Sequence, residues 1–189
     1  PIKDQKEIQA SCKVCSGTYS GVNDKEYVKD MINWGIASYD SKMARKAVIR
    51  FQEEFPTDRF GIFAYAYASS DVFSPVGIEL SKILKTKFPN QSAEEIRILK
   101  EIDYHSNNAE SKSTSKYSYL VAQAHFDLTY EQNPTAVLDA LEKNGPAIKE
   151  LVKLEKTERS NKKYMYKDIK EQLVSILQKI MMKGYPNNQ

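Results

Sequence analysis

Cysteine is scarce in this chain of 189 residues, where only Cys12 and Cys15 carry a thiol, and both lie close to the start. No disulfide framework can therefore hold the body together. No apolar run approaches the roughly 18 to 20 residues that a membrane-spanning helix needs. No charge of one sign dominates, because 28 basic and 25 acidic side chains leave a net charge of +3. That balance permits a nucleic-acid partner without demanding one. Histidine is limited to His105 and His125. A glycine-rich phosphate loop, a GxSxG elbow and an HExxH helix are all missing, which removes the motif-bearing nucleotide-binding, hydrolase and zinc-protease classes. The remainder, 41% hydrophobic and 28% charged, is an ordinary soluble mixture of a length that suits one domain. The chain opens at Pro1 without a charged-then-apolar leader, consistent with methionine removal, a mature product or an excised segment. With no leader and no disulfide framework, a cytoplasmic location is the expectation.

Cys12-Lys13-Val14-Cys15 is a CxxC, a spacing that lets two thiolates bind one metal or form a redox pair. A tetrahedral zinc site needs two more ligands, and the two histidines stand far along the chain without a second paired spacing. The redox version opens a helix after a strand, and no strand pattern precedes Cys12. The pair reads as two ordinary thiols in a polar arm over 1–22, with no metal and no cofactor expected.

What the chain does carry is a pattern written twice. Gly35-Ile36-Ala37-Ser38-Tyr39-Asp40 is followed by a loop, a helical run and Phe55-Pro56. Ala66-Tyr67-Ala68-Ser69-Ser70-Asp71 is followed by a loop, a helical run and Phe88-Pro89. Such self-similarity marks stacked helical repeats. In the first unit Tyr27, Met31, Trp34 and Ser38 share one helix face, and Ser41 is placed to cap a second helix whose Ala44, Val48, Phe51 and Phe55 recur at helical spacing. Pro56 ends it. Thr57 or Asp58 opens the second unit, with Phe60, Phe63, Ala64, Tyr67 and Ala68 on an apolar face, and Ser74-Pro75 reads as a cap with proline at the first helical position. Gly35, Ala37, Ala64, Ala66 and Ala68 allow helices to approach closely.

Ser92 with Glu95 has capping-box spacing and opens a helix carrying Ile96, Ile98, Leu99 and Ile102. Tyr104 to Lys116, rich in Ser, Asn and Lys, reads as a low-complexity loop, mobile over 105–116. Helix returns over Tyr117 to Tyr130, where Ala122 to Asp127 reads as a third, worn copy of the small-residue element. Simple alternation makes this segment the second helix of a pair, whereas its pattern resembles a first. Asn133-Pro134 starts a further helix that closes at Asn144-Gly145-Pro146. The last third is helical and charged, ending in an amphipathic helix with Ile169, Leu173, Ile176, Leu177 and Ile180 on its apolar stripe and a frayed tail over 185–189. The expected architecture is one all-α domain over 23–184, of roughly seven or eight helices in antiparallel pairs, with the last helix shielding the end of the core.

Phe55-Pro56 and Phe88-Pro89 stand 33 residues apart, as do the small residues Ala44 and Gly77. With small residues in the first helix and Phe-Pro closing the second, the pattern over Asp24 to Ile102, and more loosely over Tyr117 to Pro146, resembles the tetratricopeptide family. The family's Trp-Leu-Gly-Tyr order in the first helix is not reproduced. The resemblance implies a short superhelical array whose first helices form a concave surface that binds an extended peptide or a partner helix, and it implies no catalytic residue.

The partner-binding residues expected on that surface are Trp34, Arg59, Tyr65 and Tyr67, since aromatics and Arg dominate contact hot spots; aromatics at helical spacing also serve as core. The rival reading is a helical nucleic-acid-binding protein using the basic C-terminal third, with Lys156, Arg159, Lys162, Lys163, Tyr164 and Lys167 giving backbone contact and base stacking. Acidic residues interrupt that run, as on a solvated helix surface. His105 with Asp103, and His125 with Asp127, offer an acid or base beside a carboxylate, but residues two apart on a helix do not face each other. An interaction scaffold or adaptor, not an enzyme, is the function expected.

Overall fold

The computed structural model describes residues 25–108, 117–157 and 162–182, and every regular element among them is an α-helix. There are nine among the described residues, more than the spacing suggests: α1 (Lys25–Ala37), α2 (Ser41–Glu54), α3 (Arg59–Val72), α4 (Ser74–Lys87), α5 (Ala93–Asn108), α6 (Ser118–Thr129), α7 (Pro134–Lys143), α8 (Gly145–Thr157) and α9 (Lys162–Met182). None of these helices is long and apolar enough to cross a membrane. The CxxC of Cys12 and Cys15, the arm and the C-terminal tail lie outside the described residues.

Helix starts follow the local chemistry, with two corrections. Asp58 and Asn133 accept hydrogen bonds from the amides of Phe60 (2.9 Å) and Ala136 (3.1 Å), capping α3 and α7. Ser92 and Glu95 form the reciprocal capping box, with Glu95 N–H donating to Ser92 Oγ at 3.2 Å and Ser92 N–H to Glu95 Oε1 at 3.1 Å. Ser41 is not the cap of α2: Asp40 takes that position and accepts from the Met43 amide at 3.0 Å. Ser74 likewise stands inside α4, and its hydroxyl turns back to donate to the Ser70 carbonyl at 3.2 Å. The loop expected from Tyr104 also gives way to helix, since α5 continues to Asn108, and residues 109–116 lie outside the described part.

The two helix pairs α1–α2 and α3–α4 are built alike. Helices α2 and α4 both have 14 residues and end the same way, with the Phe55 amide donating to Phe51 O (2.7 Å) and the Phe88 amide to Leu84 O (2.8 Å). Each cap is followed by the proline that forbids another turn. Each pair closes through a small residue. A Cβ on Gly35 would lie 2.9 Å from Ala44 Cβ, and one on Gly77 would lie 2.3 Å from Ser70 Cβ. Ala44 and Gly77 are therefore equivalent, as their spacing of 33 predicts. The first helices align differently from the sequence match: Gly35 corresponds to Ser70 and not to Ala66, one helical turn later. The cause is the turn, which uses Ser38, Tyr39 and Asp40 in the first pair and only Phe73 in the second.

Helix α3 has no polar face. Phe60, Ile62, Phe63, Ala64, Ala66, Tyr67 and Ala68 are all buried, so the helix is wrapped over that stretch, and exposure returns at its C-terminal end, where Val72 is 55% exposed. It packs against α2, α4 and α5. Helix α6 is nearly as apolar and packs on α4, α7 and α9, while α8 lies against α7 and α9. Its C-terminal cap repeats the pattern of the second helices, the Tyr130 amide donating to Phe126 O at 3.0 Å. Unlike α2 and α4, however, α6 does not pack against the helix before it, and its main neighbours are α4, α7 and α9. Two residues expected in the core are outside it: Ile96 is 41% and Leu177 37% exposed, because α5 and α9 turn Ile98, Leu99, Ile102 and Ile169, Leu173, Ile176, Ile180 inward instead.

Gly77→Ala forces the Ser70 backbone away, at a cost of about 3 kcal/mol, the upper part of the overpacking range. Gly145, where nothing lies within 4 Å of an added Cβ, accepts Ala with a change below about 1 kcal/mol. Urea unfolding midpoints at equal m-value compare the two.

Candidate functional site

Ion pairs and ring contacts set the direction of the first helices. Arg59 at the start of α3 binds Glu95 at the start of α5, and Tyr67 further along α3 meets His105 further along α5, so these helices run parallel. Lys29 and Asn33 of α1 meet Glu94 and Arg97 of α5 in the same sense. The helices α1, α3 and α5 thus run side by side, with their N-terminal ends together and their C-terminal ends together.

The N-terminal half of this joint face is closed. Lys25 pairs with Asp58. Lys29 Nζ lies 3.0 Å from Glu94, Asn33 donates to Glu94 Oε1 at 2.7 Å, and Arg97 Nη2 donates to Asn33 Oδ1 at 2.8 Å. Burial opposes the charge on Lys29, yet Glu94, with Glu26 and Asp58, holds its pKa above the ordinary value. Beneath this ladder Lys29 sits 4.7 Å from the centroid of the Phe60 ring. Arg59 is equally engaged: its Nε donates to Glu95 Oε2 at 2.5 Å, its Nη2 donates to the Asn90 carbonyl at 2.8 Å, and its guanidinium lies 4.4 Å from the Phe88 ring centroid. Arg59 is a clamp between the second pair and α5, with Nε and Nη2 both engaged.

The C-terminal half is different. Tyr67, 1% exposed, lies edge-on to His105 with centroids 5.5 Å apart, and Tyr104 stands beside His105 at 6.0 Å. Asp71 follows Tyr67 by one turn of α3, and Glu101 precedes His105 by one turn of α5, which places both carboxylates on this face. The Tyr67 phenol is pushed up to about 12, first by burial and then by the fields of Asp71, Glu101 and Tyr39. His105 Nε2 is buried without a hydrogen-bond partner. Two aromatics stand open around this floor, Tyr39 at 73% and Tyr104 at 59% exposure. Tyr39 holds the α1–α2 turn at φ 57°, the left-handed region that a residue with a side chain occupies at a cost of about 1–2 kcal/mol.

The four residues expected to share a partner-binding surface do not share one. Tyr65 and Tyr67, two apart, emerge on opposite sides of α3. Tyr67 belongs to the core beneath the open half. Tyr65 instead stacks on His125 of α6, centroids 3.4 Å apart and planes within 12°. Burial pushes the Tyr65 phenol up, against the Ser69 hydroxyl, which pulls it down. Trp34 is half-buried, its Nε1 buried and unpartnered. Reasoning from the sequence misses Tyr39 and Tyr104. The signal for Tyr39 is a helix that ends without glycine, and Tyr104 is hidden by the expectation of a loop.

Neither histidine forms an acid–base pair with its neighbouring aspartate. Asp103 turns to Lys85, 3.6 Å away, and Asp127 accepts from Gln123 at 3.0 Å. His125 is buried, with Gln52 Nε2 3.2 Å and Thr129 Oγ1 3.4 Å from its Nε2. Burial, and then the charge of Lys179, lowers the His125 pKa well below the ordinary value. Among the described residues no group of three His, Cys, Asp or Glu side chains is placed to hold a metal ion. Of the basic C-terminal residues, Lys156 is exposed and Lys167 lies 3.6 Å from Glu171. Arg159 and the side chains of Lys162, Lys163 and Tyr164 lie outside the described part.

Comparison of the chain with protein-family models, with curated proteins and with solved structures finds no match.

Arg59→Ala leaves the carboxylate of Glu95, 10% exposed, without its partner. The expected loss is about 2 kcal/mol, between the values for surface and buried pairs, and adding Glu95→Gln recovers part of it in urea unfolding. His125 sets a pH dependence. Its folded pKa lies below its unfolded value near 6.5, so below about pH 6.5 the unfolded chain binds the extra proton, and stability falls by up to ~1.4 kcal/mol per pH unit until the folded pKa is reached. Burial raises the carboxyls of Asp127 and Asp168, which act in the opposite sense nearer the ordinary Asp range. The difference between wild type and His125→Gln in stability measured from pH 7.5 to 5 isolates the histidine.

Proposed function

We propose that this protein is an interaction scaffold or adaptor of the tetratricopeptide-like class, docking a peptide or helix of a partner protein on the joint face of α1, α3 and α5. The observation that carries the proposal is the open C-terminal half of that face, where Tyr39 and Tyr104 project around a floor of Tyr67 and His105. Rigid aromatics bring large contact area at low entropic cost, which suits them to anchor a partner. The likeness of the two helix pairs, 33 residues apart at Ala44 and Gly77, and the parallel run of their first helices support assignment to this class. The ladder between α1 and α5 restricts where a partner can lie, so the docking residues shift from Trp34, Arg59, Tyr65 and Tyr67 to Tyr39 and Tyr104.

Affinity capture with the full chain, followed by mass spectrometry with and without nuclease, tests this. The expected result is a protein retained by the wild type and by Lys156→Glu/Lys167→Glu, insensitive to nuclease, and lost with Tyr104→Ala while helicity is unchanged. Capture that vanishes with nuclease and with the lysine substitutions, and survives Tyr104→Ala, replaces the scaffold with the nucleic-acid-binding reading.

A further inference from the structure

We infer that the open half of the α1–α3–α5 face is a seat for a cationic side chain, best an arginine, carried by a basic segment of a partner protein. The carrier being a protein rests on the scaffold reading; the charge of what it presents follows from the face itself.

Four features agree on the sign. Asp71 and Glu101 lie on this face, and among the described residues neither has an ion-pair partner, whereas Asp58, Glu94, Glu95 and Asp103 each hold a lysine or arginine. Helices α1 and α3 both end here, at Ala37 and Val72, and present the negative ends of their dipoles. Tyr39 and Tyr104 offer open ring faces, and a cation over such a face is attracted by its quadrupole. The floor supplies polar groups that the protein leaves unpartnered, of which the Tyr67 hydroxyl accepts directly and His105 Nε2 accepts in the tautomer protonated on Nδ1. Tyr67 is 1% exposed, and its hydroxyl has no hydrogen-bond partner among the described residues. His105 Nε2 is buried and unpartnered. A planar guanidinium, with five N–H donors and a face that stacks on aromatics, answers carboxylates, acceptors and rings together, which an ammonium does only in part. The φ of 57° at Tyr39, kept where glycine would relax the turn, accords with a ring held there for contact.

The test is a titration of the isotope-labelled full chain with penta-arginine at low salt, followed by NMR, with penta-lysine and penta-glutamate as comparison probes. Expected are shifts at Tyr39, Asp71, Glu101, Tyr104 and His105, weaker binding of penta-lysine, none of penta-glutamate, and affinity reduced about tenfold or more in Asp71→Asn/Glu101→Gln, whose fold is checked by circular dichroism. Tyr39→Gly keeps the fold, relaxes the turn and also weakens binding. Equal affinity of penta-arginine for wild type and the double variant, or shifts confined to other helices, overturns the inference. Sedimentation showing a dimer that the double variant loses makes a second copy the occupant and overturns it as well. The two readings fail separately. A captured partner lost on Tyr104→Ala but kept by Asp71→Asn/Glu101→Gln leaves the scaffold and removes the cationic seat. Penta-arginine binding that needs both carboxylates, with no captured protein depending on Tyr104, leaves the seat and removes the scaffold.

Discussion

From Phe60 to Ala68 every residue of α3 but Tyr65 is buried, and the arrangement of the other helices follows from that. A helix apolar all round is stable only when surrounded. Helix α2 and helix α4 flank it as chain neighbours, α5 covers the Tyr67 side, and His125 of α6 closes on Tyr65. An open array would leave one flank of each helix free. Here α1 reaches past α3 to α5, through Lys29, Asn33, Glu94 and Arg97, and shuts the space above Phe60. The buried helix and the closed half of the face are one constraint seen twice.

The small contacts at Gly35 and Gly77 belong to the same constraint. Two helix axes come close only where a side chain is missing, and each pair has one such place, near its turn. Held there, the second helices reach identical ends at Phe55 and Phe88. The Phe88 ring then lies between Phe63, Phe126 and Tyr130, with the Arg59 guanidinium over it. The aromatic that ends the second pair is thereby the joint to α6, and its partial burial contributes about 1–2 kcal/mol.

What the chain reveals by itself divides along the range of the forces involved. The ends of α2 and α4 were legible because proline acts on the residue before it, and the capping box of Ser92 and Glu95 because its partners are three residues apart. The spacing of Ala44 and Gly77 was legible for the same reason. The one-turn error in matching Gly35 to Ala66 arose where two turns of different length precede equivalent helices, which no periodicity records. The fates of Tyr65 and Tyr67 were not legible, since both are tyrosines among alanines and differ only in which distant helix each meets. Arg59 looked like a free contact residue because its partner Glu95 was already accounted for as a cap, and one carboxylate serves both roles through its two oxygens.

The two ends of this face differ in their electrostatics. At the N-terminal ends, Asp58, Glu94 and Glu95 stand where helix dipoles favour negative charge, and Lys25, Lys29 and Arg59 complete them, so that end is satisfied twice over. At the C-terminal ends the dipoles favour positive charge, yet Asp71 stands in the last turn of α3, and Glu101, in the middle of α5, lies on the same face. Their charge adds to the negative ends of α1 and α3 instead of cancelling them. Such repulsion is tolerated at small cost while water screens it, and it becomes an attraction of the same origin once a cation replaces that water. The fold neutralises itself where its helices begin and, among the described residues, leaves Asp71 and Glu101 without an ion-pair partner on its other half, beside the outward-facing Tyr39 and Tyr104.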